Sequence, residues 1–194
     1  MGGQSLKVVV AYVALWLRVR ITYARIMTLA AKVLTVSDSV AAGQRGDQSG
    51  PRLAARLQEA GYDVVDTRVV PDGIESVTDA LRELTLDFAG LIITTGGTGF
   101  SPRDVTPEAT LRVLDREAPG LSEAMRLVSP LGRLSRARAG TAGRCLILNT
   151  PGSPGGALES LEAVVDVLAH ALELLHGGDG HHPPDTGGST AISS

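Results

Sequence analysis

The sequence predicts an α/β domain with a mostly parallel central sheet and helices on both faces of that sheet. Short β-type runs alternate with helical runs along most of the chain, which is the pattern of successive βαβ units. Polar segments rich in glycine and proline directly follow several of the strand-like runs. The 194 residues fit one domain with two irregular ends.

The first βαβ unit is predicted from the segment that begins at residue 31. Residues 31–36 form a short run with a strand-like composition. After a polar loop, Pro51 suits the first turn of a helix, in which Leu53 and Leu57 share one face. Gly61 ends this helix, and residues 62–70 form the second strand.

The second unit follows directly. Pro71 stops the second strand, and Asp72 is well placed to cap a helix over residues 74–84. Residues 89–95 then form the third strand, which leads into a loop rich in glycine.

The next helix is predicted from its start signal. Thr106 offers a hydroxyl cap, Pro107 suits the first turn, and Glu108 lies near the positive helix end. Residues 121–127 are also predicted to be helical, and residues 135–149 to form two strands joined by a turn.

The last segment is the most regular. Its apolar residues step by three and four and therefore define one helix face. They are Leu158, Leu161, Val165, Leu168, Leu172 and Leu175. This face is predicted to belong to the core or to a contact between subunits.

Composition narrows the classes of function. The formal net charge of −3 argues against sequence-independent binding of nucleic acid, which needs a basic face. The only cysteine, Cys145, lies in an apolar run and is predicted to be inert core. Since it has no partner for an internal disulfide, a reducing cytoplasm is the expected compartment.

Both ends of the chain are expected to lie outside the domain. Residues 8–17 are continuously apolar but only about half as long as a membrane span, so no membrane partner is expected. The domain is predicted over residues 27–177. Residues 1–26 would be an extension or a misassigned start, and residues 178–194 a disordered tail of low complexity.

The polar segments that follow the strands predict a ligand site. In a sheet of this kind, ligands bind beyond the carboxyl ends of the strands. Four bent, polar segments should gather there: Ser37-Asp38, Pro71-Asp72, the segment from Gly96 to Asp104, and Thr150-Pro151-Gly152-Ser153. This coincidence is the strongest sign of function in the chain.

The segment Gly96-Gly97-Thr98-Gly99 is a candidate for binding an anion. Because glycines lack Cβ atoms, consecutive amides can turn inward and form a concave anion site. No G-x-x-x-x-G-K-[ST] motif occurs, and Pro102 stands where a dinucleotide fingerprint would need glycine. A tight turn without any ligand is the alternative.

Asp104 suggests a cation beside that loop. A carboxylate would repel a bound phosphate unless a cation lay between them, and Mg²⁺ is usually held by one or two carboxylates and phosphate oxygens. Asp72 is a second candidate ligand. The alternatives are a helix cap for Asp72, a capped turn for Asp104, and hydrogen bonds within its own loop for Asp38.

The sequence gives little support for hydrolase chemistry or for a metal site built on cysteine or histidine. No G-x-S-x-G, C-x-x-C or H-E-x-x-H motif occurs. Four arginines cluster near the predicted hairpin: Arg133, Arg136, Arg138 and Arg144. They form either a solvated face or, in part, bidentate contacts to an anionic substrate.

The motifs at these strand ends resemble those of the molybdopterin adenylyltransferase family, the MogA/MoaB-like proteins, and of the related gephyrin domain. The resemblance rests on GGTG followed by RDVTPEAT, on TVSD at the first strand, and on LSR and LILN-x-PG-x-P downstream. It runs from residue 32 to residue 177.

The resemblance implies a three-layer α/β/α domain, usually a homotrimer, that acts in molybdenum cofactor biosynthesis. With Mg²⁺, the terminal phosphate of molybdopterin would attack the α-phosphorus of ATP and give adenylyl-molybdopterin and pyrophosphate. Hand-over of this product to a molybdenum-insertion protein is a further expectation.

By residue, the resemblance implies that Asp72 and Asp104 are catalytic acids or Mg²⁺ ligands. The residues that would bind substrate or nucleotide are Ser37, Asp38, Gly96, Gly97, Thr98, Gly99, Ser101, Pro102, Ser135, Arg136, Pro151, Gly152 and Ser153. Because a phosphate nucleophile is already ionised at neutral pH, an acid suits the role of Mg²⁺ ligand better than that of base.

The alternative function is a non-catalytic molybdopterin-binding or scaffold paralogue with the same fold. Retention of both Asp72 and Asp104 favours the enzyme, because a mere binder needs no acids that ligate a metal. The last loop, PGSPGG, departs from the more polar continuation of some family members, so its role stays open.

Overall fold

The computed structural model describes residues 29–177, in which six strands form one sheet. The strands are β1 (Leu29–Val36), β2 (Tyr62–Val70), β3 (Gly90–Thr95), β4 (Arg116–Glu117), β5 (Ala139–Ala142) and β6 (Cys145–Thr150). Their spatial order is β2-β1-β3-β6-β5-β4. The first four strands in this order run parallel, and β5 and β4 are antiparallel to their neighbours.

Helices cover both faces of the sheet. They are α1 (Asp38–Ala41), α2 (Ser49–Glu59), α3 (Ile74–Thr85), α4 (Thr106–Leu111), α5 (Pro119–Leu127), α6 (Pro154–Glu162) and α7 (Val165–Leu175), with a 3-10 turn at Pro130–Leu134. Helices α2, α5, α6 and α7 pack on one face. Helices α3 and α4 pack on the other.

The central strands are buried on both faces, as in other parallel sheets. Leu91 and Ile93 of β3 point into the core beneath α2 and α7, whereas Ile92 points into the core beneath α3. All six residues of β3 and all six of β6 are buried. The predicted three-layer α/β domain with a mostly parallel sheet is therefore confirmed.

Two predicted caps are wrong. Gly73 occupies the cap position of α3, and the Asp72 carboxylate accepts a hydrogen bond from the Asp38 backbone N–H at 2.8 Å instead. Val105 occupies the cap position of α4, and Thr106 is a fully buried residue of the helix itself. The Asp72 carboxylate is thus engaged by a distant segment, whereas the Thr106 hydroxyl is buried without a hydrogen-bond partner among residues 29–177.

The last apolar face is divided between two helices. Val164 leaves the helical conformation between α6 and α7, and only 1% of its surface is exposed. Leu161, Leu168 and Leu172 are fully buried in the same core, so the predicted core-facing stripe persists across the break.

Further predictions concern the cysteine and the ends of the chain. Cys145 is fully buried, as predicted, and burial raises the pKa of its thiol. Within residues 29–177, no helix is long and apolar enough to cross a membrane. The predictions for residues 1–26 and 178–194 fall outside the described residues, and the domain boundaries stay a prediction.

A buried hydrogen-bond network joins the carboxyl ends of β3 and β6. The side-chain amide of Asn149 donates to the hydroxyls of Thr94 and Thr110, each at 3.0 Å, and its oxygen accepts from the Arg138 N–H at 3.1 Å. The Thr150 hydroxyl donates to the Thr94 carbonyl at 2.8 Å. Because every polar atom of the Asn149 side chain is paired, the network fixes β3, β6 and α4 relative to one another.

We expect Asn149→Ala to lower the free energy of unfolding by about 3 kcal/mol or more, because it leaves buried polar groups without partners. Urea denaturation at constant m-value would measure the loss. Cys145→Ala is the matched control on the same buried strand, with an expected loss of about 1 kcal/mol. Equal losses in the two variants would show that the network adds nothing beyond packing.

Candidate functional site

The four predicted polar segments meet at the carboxyl ends of the parallel strands. The Asp38 N–H donates to the Asp72 carboxylate at 2.8 Å, which joins the first two segments. The Gly96 N–H donates to the Thr150 carbonyl at 3.1 Å, which joins the third to the fourth. The structure thus brings together the segments that sequence reasoning placed there.

The loop after β3 requires glycine at two positions. Gly96 and Gly97 have φ angles of 105° and 63°, in the region that side chains with a Cβ rarely adopt. A Cβ on Gly97 would overlap the buried Thr106 hydroxyl and lie 3.2 Å from Asp72 Oδ1. The loop therefore passes so close to α4 and to Asp72 that no larger residue fits.

The glycine loop, which we define as residues 96–99, has paired carbonyls and free amides at its last three residues. The carbonyls of Gly97, Thr98 and Gly99 accept hydrogen bonds from Thr106 N, Arg136 N and Arg136 Nε, respectively. The N–H groups of the same three residues donate to no acceptor within residues 29–177. Three consecutive free donors are what an anion site needs.

Two carboxylates flank this loop. Asp72 Oδ1 lies beside Gly97, and Asp104 Oδ2 lies 2.9 Å from the position that a Cβ on Gly99 would take. Asp104 Oδ2 also accepts from the Ser101 N–H at 2.8 Å. One carboxylate thus stands at each end of the row of free amides.

The donor set suits a hard cation that also binds phosphate. Asp72 Oδ1 and Asp104 Oδ1 accept no hydrogen bond from residues 29–177, so each acid has one free oxygen. Groups of three or more metal-binding side chains do not occur in the described part of the chain. Two carboxylates with free oxygens match Mg²⁺, which keeps waters and phosphate oxygens as further ligands.

Asp38, Asp72 and Arg103 lock the first three segments together. Asp38 and Asp72 exchange hydrogen bonds from backbone N–H to carboxylate, at 2.8 and 3.0 Å. Arg103 donates to both oxygens of Asp38, at 2.9 and 3.1 Å, and to the Asp72 carbonyl. The guanidinium holds the pKa of the Asp38 carboxyl below its ordinary value.

A cavity of about 530 Å³ opens beside the loop. The predicted residues that line it are Gly97, Thr98, Gly99, Asp104, Ser135, Pro151, Gly152 and Ser153. Leu131 and Leu134 of the 3-10 turn add apolar wall. The cavity therefore combines free backbone donors, the carboxylates of Asp104 and Glu159, and an apolar side.

The remaining predicted residues lie around this cavity. Ser37 lines a smaller cavity of about 160 Å³, together with Arg45, Asp47 and Ser49. Gly152 is part of the wall of both cavities. Asp38 and Asp72 lie in the junction described above, Gly96 in the loop backbone, and Arg136 behind the loop. Ser101 and Pro102 are exposed on the outer turn of the segment.

Sequence reasoning missed three residues at this end of the sheet. Arg103 and Glu108 were left out of the predicted site, although both stand within the motif RDVTPEAT. Asp47 was also missed: its carboxylate accepts from the Thr35 hydroxyl at 2.7 Å and from the N–H groups of Ser49 and Gly50. The presence of an acid two residues before a helix start was the available signal.

Known proteins resemble this chain in sequence and in structure. A family described as a probable molybdopterin-binding domain matches residues 32–170. The molybdopterin adenylyltransferase of Haemophilus influenzae is 45% identical over 148 residues, which cover 72% of this chain and 75% of that one.

Two solved structures share the fold. The molybdopterin biosynthesis enzyme MoaB of Thermus thermophilus is 48% identical, has a TM-score of 0.71, and matches over 77% of this chain and 97% of that one. The molybdopterin biosynthesis Mog protein of Mycobacterium ulcerans is 39% identical, has a TM-score of 0.73, and matches over 78% and 99%.

We expect Gly97→Ala to lower the free energy of unfolding by about 2 kcal/mol or more, because it adds a strained φ and a clash with Thr106. Gly155→Ala is the control at the same end of the sheet, where a Cβ would meet no atom within 4 Å. Its stability should stay within about 0.5 kcal/mol of the wild type. Urea unfolding of both variants checks this, and equal stabilities would contradict the close packing of the loop.

A second prediction concerns pH. Since the folded-state pKa of Asp38 is lowered, the Asp38–Arg103 pair stabilises the fold above the unfolded pKa of about 3.9 and loses this effect as pH falls through the folded value. The stability difference between the wild type and Arg103→Ala should therefore shrink from pH 6 towards pH 2. Urea unfolding across this range measures it, and a constant difference would rule out the pair as its cause.

Proposed function

The chain belongs to the family of the probable molybdopterin-binding domain, and we propose on that basis that it is a molybdopterin adenylyltransferase of molybdenum cofactor biosynthesis. The observation that carries the proposal at the level of the site is the row of free amides at Gly97, Thr98 and Gly99. Such donors suit the phosphoryl oxygens of a nucleotide or of a phosphorylated pterin.

The proposed reaction transfers an adenylyl group from ATP. A terminal phosphate oxygen of molybdopterin forms a bond to the α-phosphorus of ATP. The bond from that phosphorus to the oxygen that bridges the α- and β-phosphates breaks. Adenylyl-molybdopterin and pyrophosphate result. The attacking phosphate is already an anion at neutral pH, so no residue has to remove a proton from it.

The work of the protein is then to position two anions and to offset their charge. The amides of Gly97, Thr98 and Gly99 bind phosphoryl oxygens in a fixed orientation, and the cavity beside them accommodates a substrate. Positioning and preorganised donors supply much of the rate in such reactions. Ser135 and Ser153 add hydroxyls on the cavity wall.

Asp72 and Asp104 hold Mg²⁺ in this proposal. When bound there, Mg²⁺ would offset the negative charge of the phosphates and of the departing pyrophosphate. The two acids fit this role because each keeps a free oxygen at one end of the amide row. Asp38 and Arg103 hold Asp72 in place through the hydrogen bonds described above.

The setting of the enzyme is inferred from the family resemblance. We propose a homotrimer in a reducing cytoplasm, which suits a chain whose only cysteine is a buried thiol. The product, adenylyl-molybdopterin, would pass to a protein that inserts molybdenum. The non-catalytic paralogue is not favoured, since the Haemophilus relative is itself named for the transferase activity.

We expect Asp104→Asn to lower kcat by about a hundredfold or more, because it removes charge stabilisation at the reacting phosphates. Binding of molybdopterin should weaken far less. Pyrophosphate release with Mg-ATP and molybdopterin measures kcat, and calorimetric titration measures binding.

The control is Asp87→Asn, which makes the same charge change at an exposed residue before β3, at the opposite end of the sheet. Asp87 has a φ of 50°, which asparagine also tolerates, so this variant should keep wild-type turnover. A wild type that binds molybdopterin yet releases no pyrophosphate would refute the enzyme and support the binding paralogue.

A further inference from the structure

We propose that Arg136, supported by Glu108, is a positioning residue that orients the glycine loop and Asp104, and that it does not bind substrate. This inference rests on the proposed function and changes the role that sequence resemblance gives to Arg136. Its starting point is that each of the four nitrogens of that residue donates a hydrogen bond to a protein oxygen.

The backbone and the guanidinium of Arg136 together make four hydrogen bonds. Arg136 N donates to the Thr98 carbonyl at 2.8 Å, and Nε donates to the Gly99 carbonyl at 2.7 Å. One terminal nitrogen donates to the Asp104 carbonyl, and the other donates to Glu108 Oε1. The guanidinium is thus engaged on each of its three nitrogens.

These bonds determine where the amides of the loop point. In a peptide unit the C=O and the N–H of the next residue point in opposite directions. Because the Thr98 carbonyl points to Arg136 N, the Gly99 N–H points away from Arg136, to the side where the other free amides lie. The side chain adds the bond from Nε to the Gly99 carbonyl, which fixes the peptide that closes the row. Loss of the side-chain contact would allow that peptide to rotate and would loosen the end of the glycine loop.

The same guanidinium also bridges the two ends of residues 99–104. It holds the carbonyls of Gly99 and Asp104, while the Asp104 carboxylate accepts from the Ser101 N–H within this bridged segment. The position of the Asp104 side chain therefore depends on Arg136. One residue thus bonds both to the glycine loop, which carries the free amides, and to the proposed metal ligand.

Glu108 fixes the orientation of the guanidinium. It lies in the first turn of α4, where Oε1 accepts from Arg136 and Oε2 is buried without a hydrogen-bond partner among residues 29–177. Helix α4 is itself joined to the glycine loop by the bond from Thr106 N to Gly97 O. The contacts of Arg136 with Gly99, Asp104 and Glu108, which we call the clamp, therefore tie the loop to this helix.

Only arginine can make this arrangement. A planar fork reaches two carbonyls and a carboxylate at once, whereas the ammonium of lysine is a single point charge that lacks this fixed geometry. Arg138 provides a matched comparison two residues away. Its guanidinium pairs with Glu117 at 3.0 Å on the short edge strand β4, and both side chains are nearly half exposed.

The test compares Arg136→Lys and Glu108→Gln with the control Arg138→Lys. Kinetics of pyrophosphate release give kcat and the KM values for ATP and molybdopterin. Hydrogen exchange in the ligand-free protein follows three amides. Those of Ser101 and Asp104 are bonded within residues 99–104, and that of Thr106 is bonded to Gly97 of the glycine loop. Urea unfolding verifies that each variant is folded under the assay conditions.

For Arg136→Lys we expect kcat to fall by about ten- to a hundredfold with both KM values nearly unchanged, as for misplaced catalytic groups. The three amides should exchange faster, whereas amides of β6 should not. Glu108→Gln should show the same changes to a smaller degree. Arg138→Lys should match the wild type in every measurement.

Two results would overturn the proposal. A raised KM with unchanged kcat in Arg136→Lys would mean that Arg136 contacts a substrate directly. Wild-type exchange at Ser101, Asp104 and Thr106 would mean that the loop does not depend on the clamp. If the wild type releases no pyrophosphate, the adenylyltransferase proposal fails, and the exchange data still decide whether Arg136 orients the loop.

Discussion

The buried seam between β3 and β6 is the constraint on which the site depends. Both strands are enclosed by helices on two faces, and yet they end in threonine, threonine, asparagine and threonine. These polar side chains are tolerated because they bond to one another and to the backbone across the seam. Because β3 and β6 are paired side by side, the glycine loop and the Pro151-Gly152 turn that follow them lie next to each other. The cavity is therefore formed between two strand ends that are fixed by hydrogen bonds.

Two arginines near the cavity serve to orient segments of the protein rather than to attract a ligand directly. Arg103 and Arg136 would be obvious ligands for phosphate, and yet their guanidinium groups are engaged by carbonyls and carboxylates of neighbouring segments. In the proposed function, anion binding is left to backbone amides, whose positions are fixed before a ligand arrives. Donors that need no rearrangement on binding are the most effective for a charged transition state.

Much of this architecture could be predicted from the sequence, because alternation of elements and the polar strand ends are local patterns. The convergence of Ser37, Asp72, Gly97 and Gly152 followed from one rule about parallel sheets. What could not be predicted were partners that are far apart in sequence. Asp72 has the spacing of a helix cap, and only the fold shows that it instead bonds to Asp38, 34 residues earlier.

The roles of the arginines escaped prediction for the same reason. Arg136 has no local partner, and its contacts at Gly99, Asp104 and Glu108 lie 28 to 37 residues away. A cluster of basic residues in a sequence does not show whether each faces solvent, a substrate or a carbonyl. The break at Val164 was hidden because its apolar side chain suits a helix and a buried turn equally well.

The pairing of β3 with β6 also bears on how the chain acquires its site. Gly90 of β3 is paired with Cys145 of β6, so these two strands can pair only after the 54 residues between them have been synthesised. Contacts of such large sequence separation form late and slowly in folding. On the ribosome, a nascent chain that ends before Thr150 has no acceptor for the Gly96 N–H, and its glycine loop must wait for the last third of the domain to emerge.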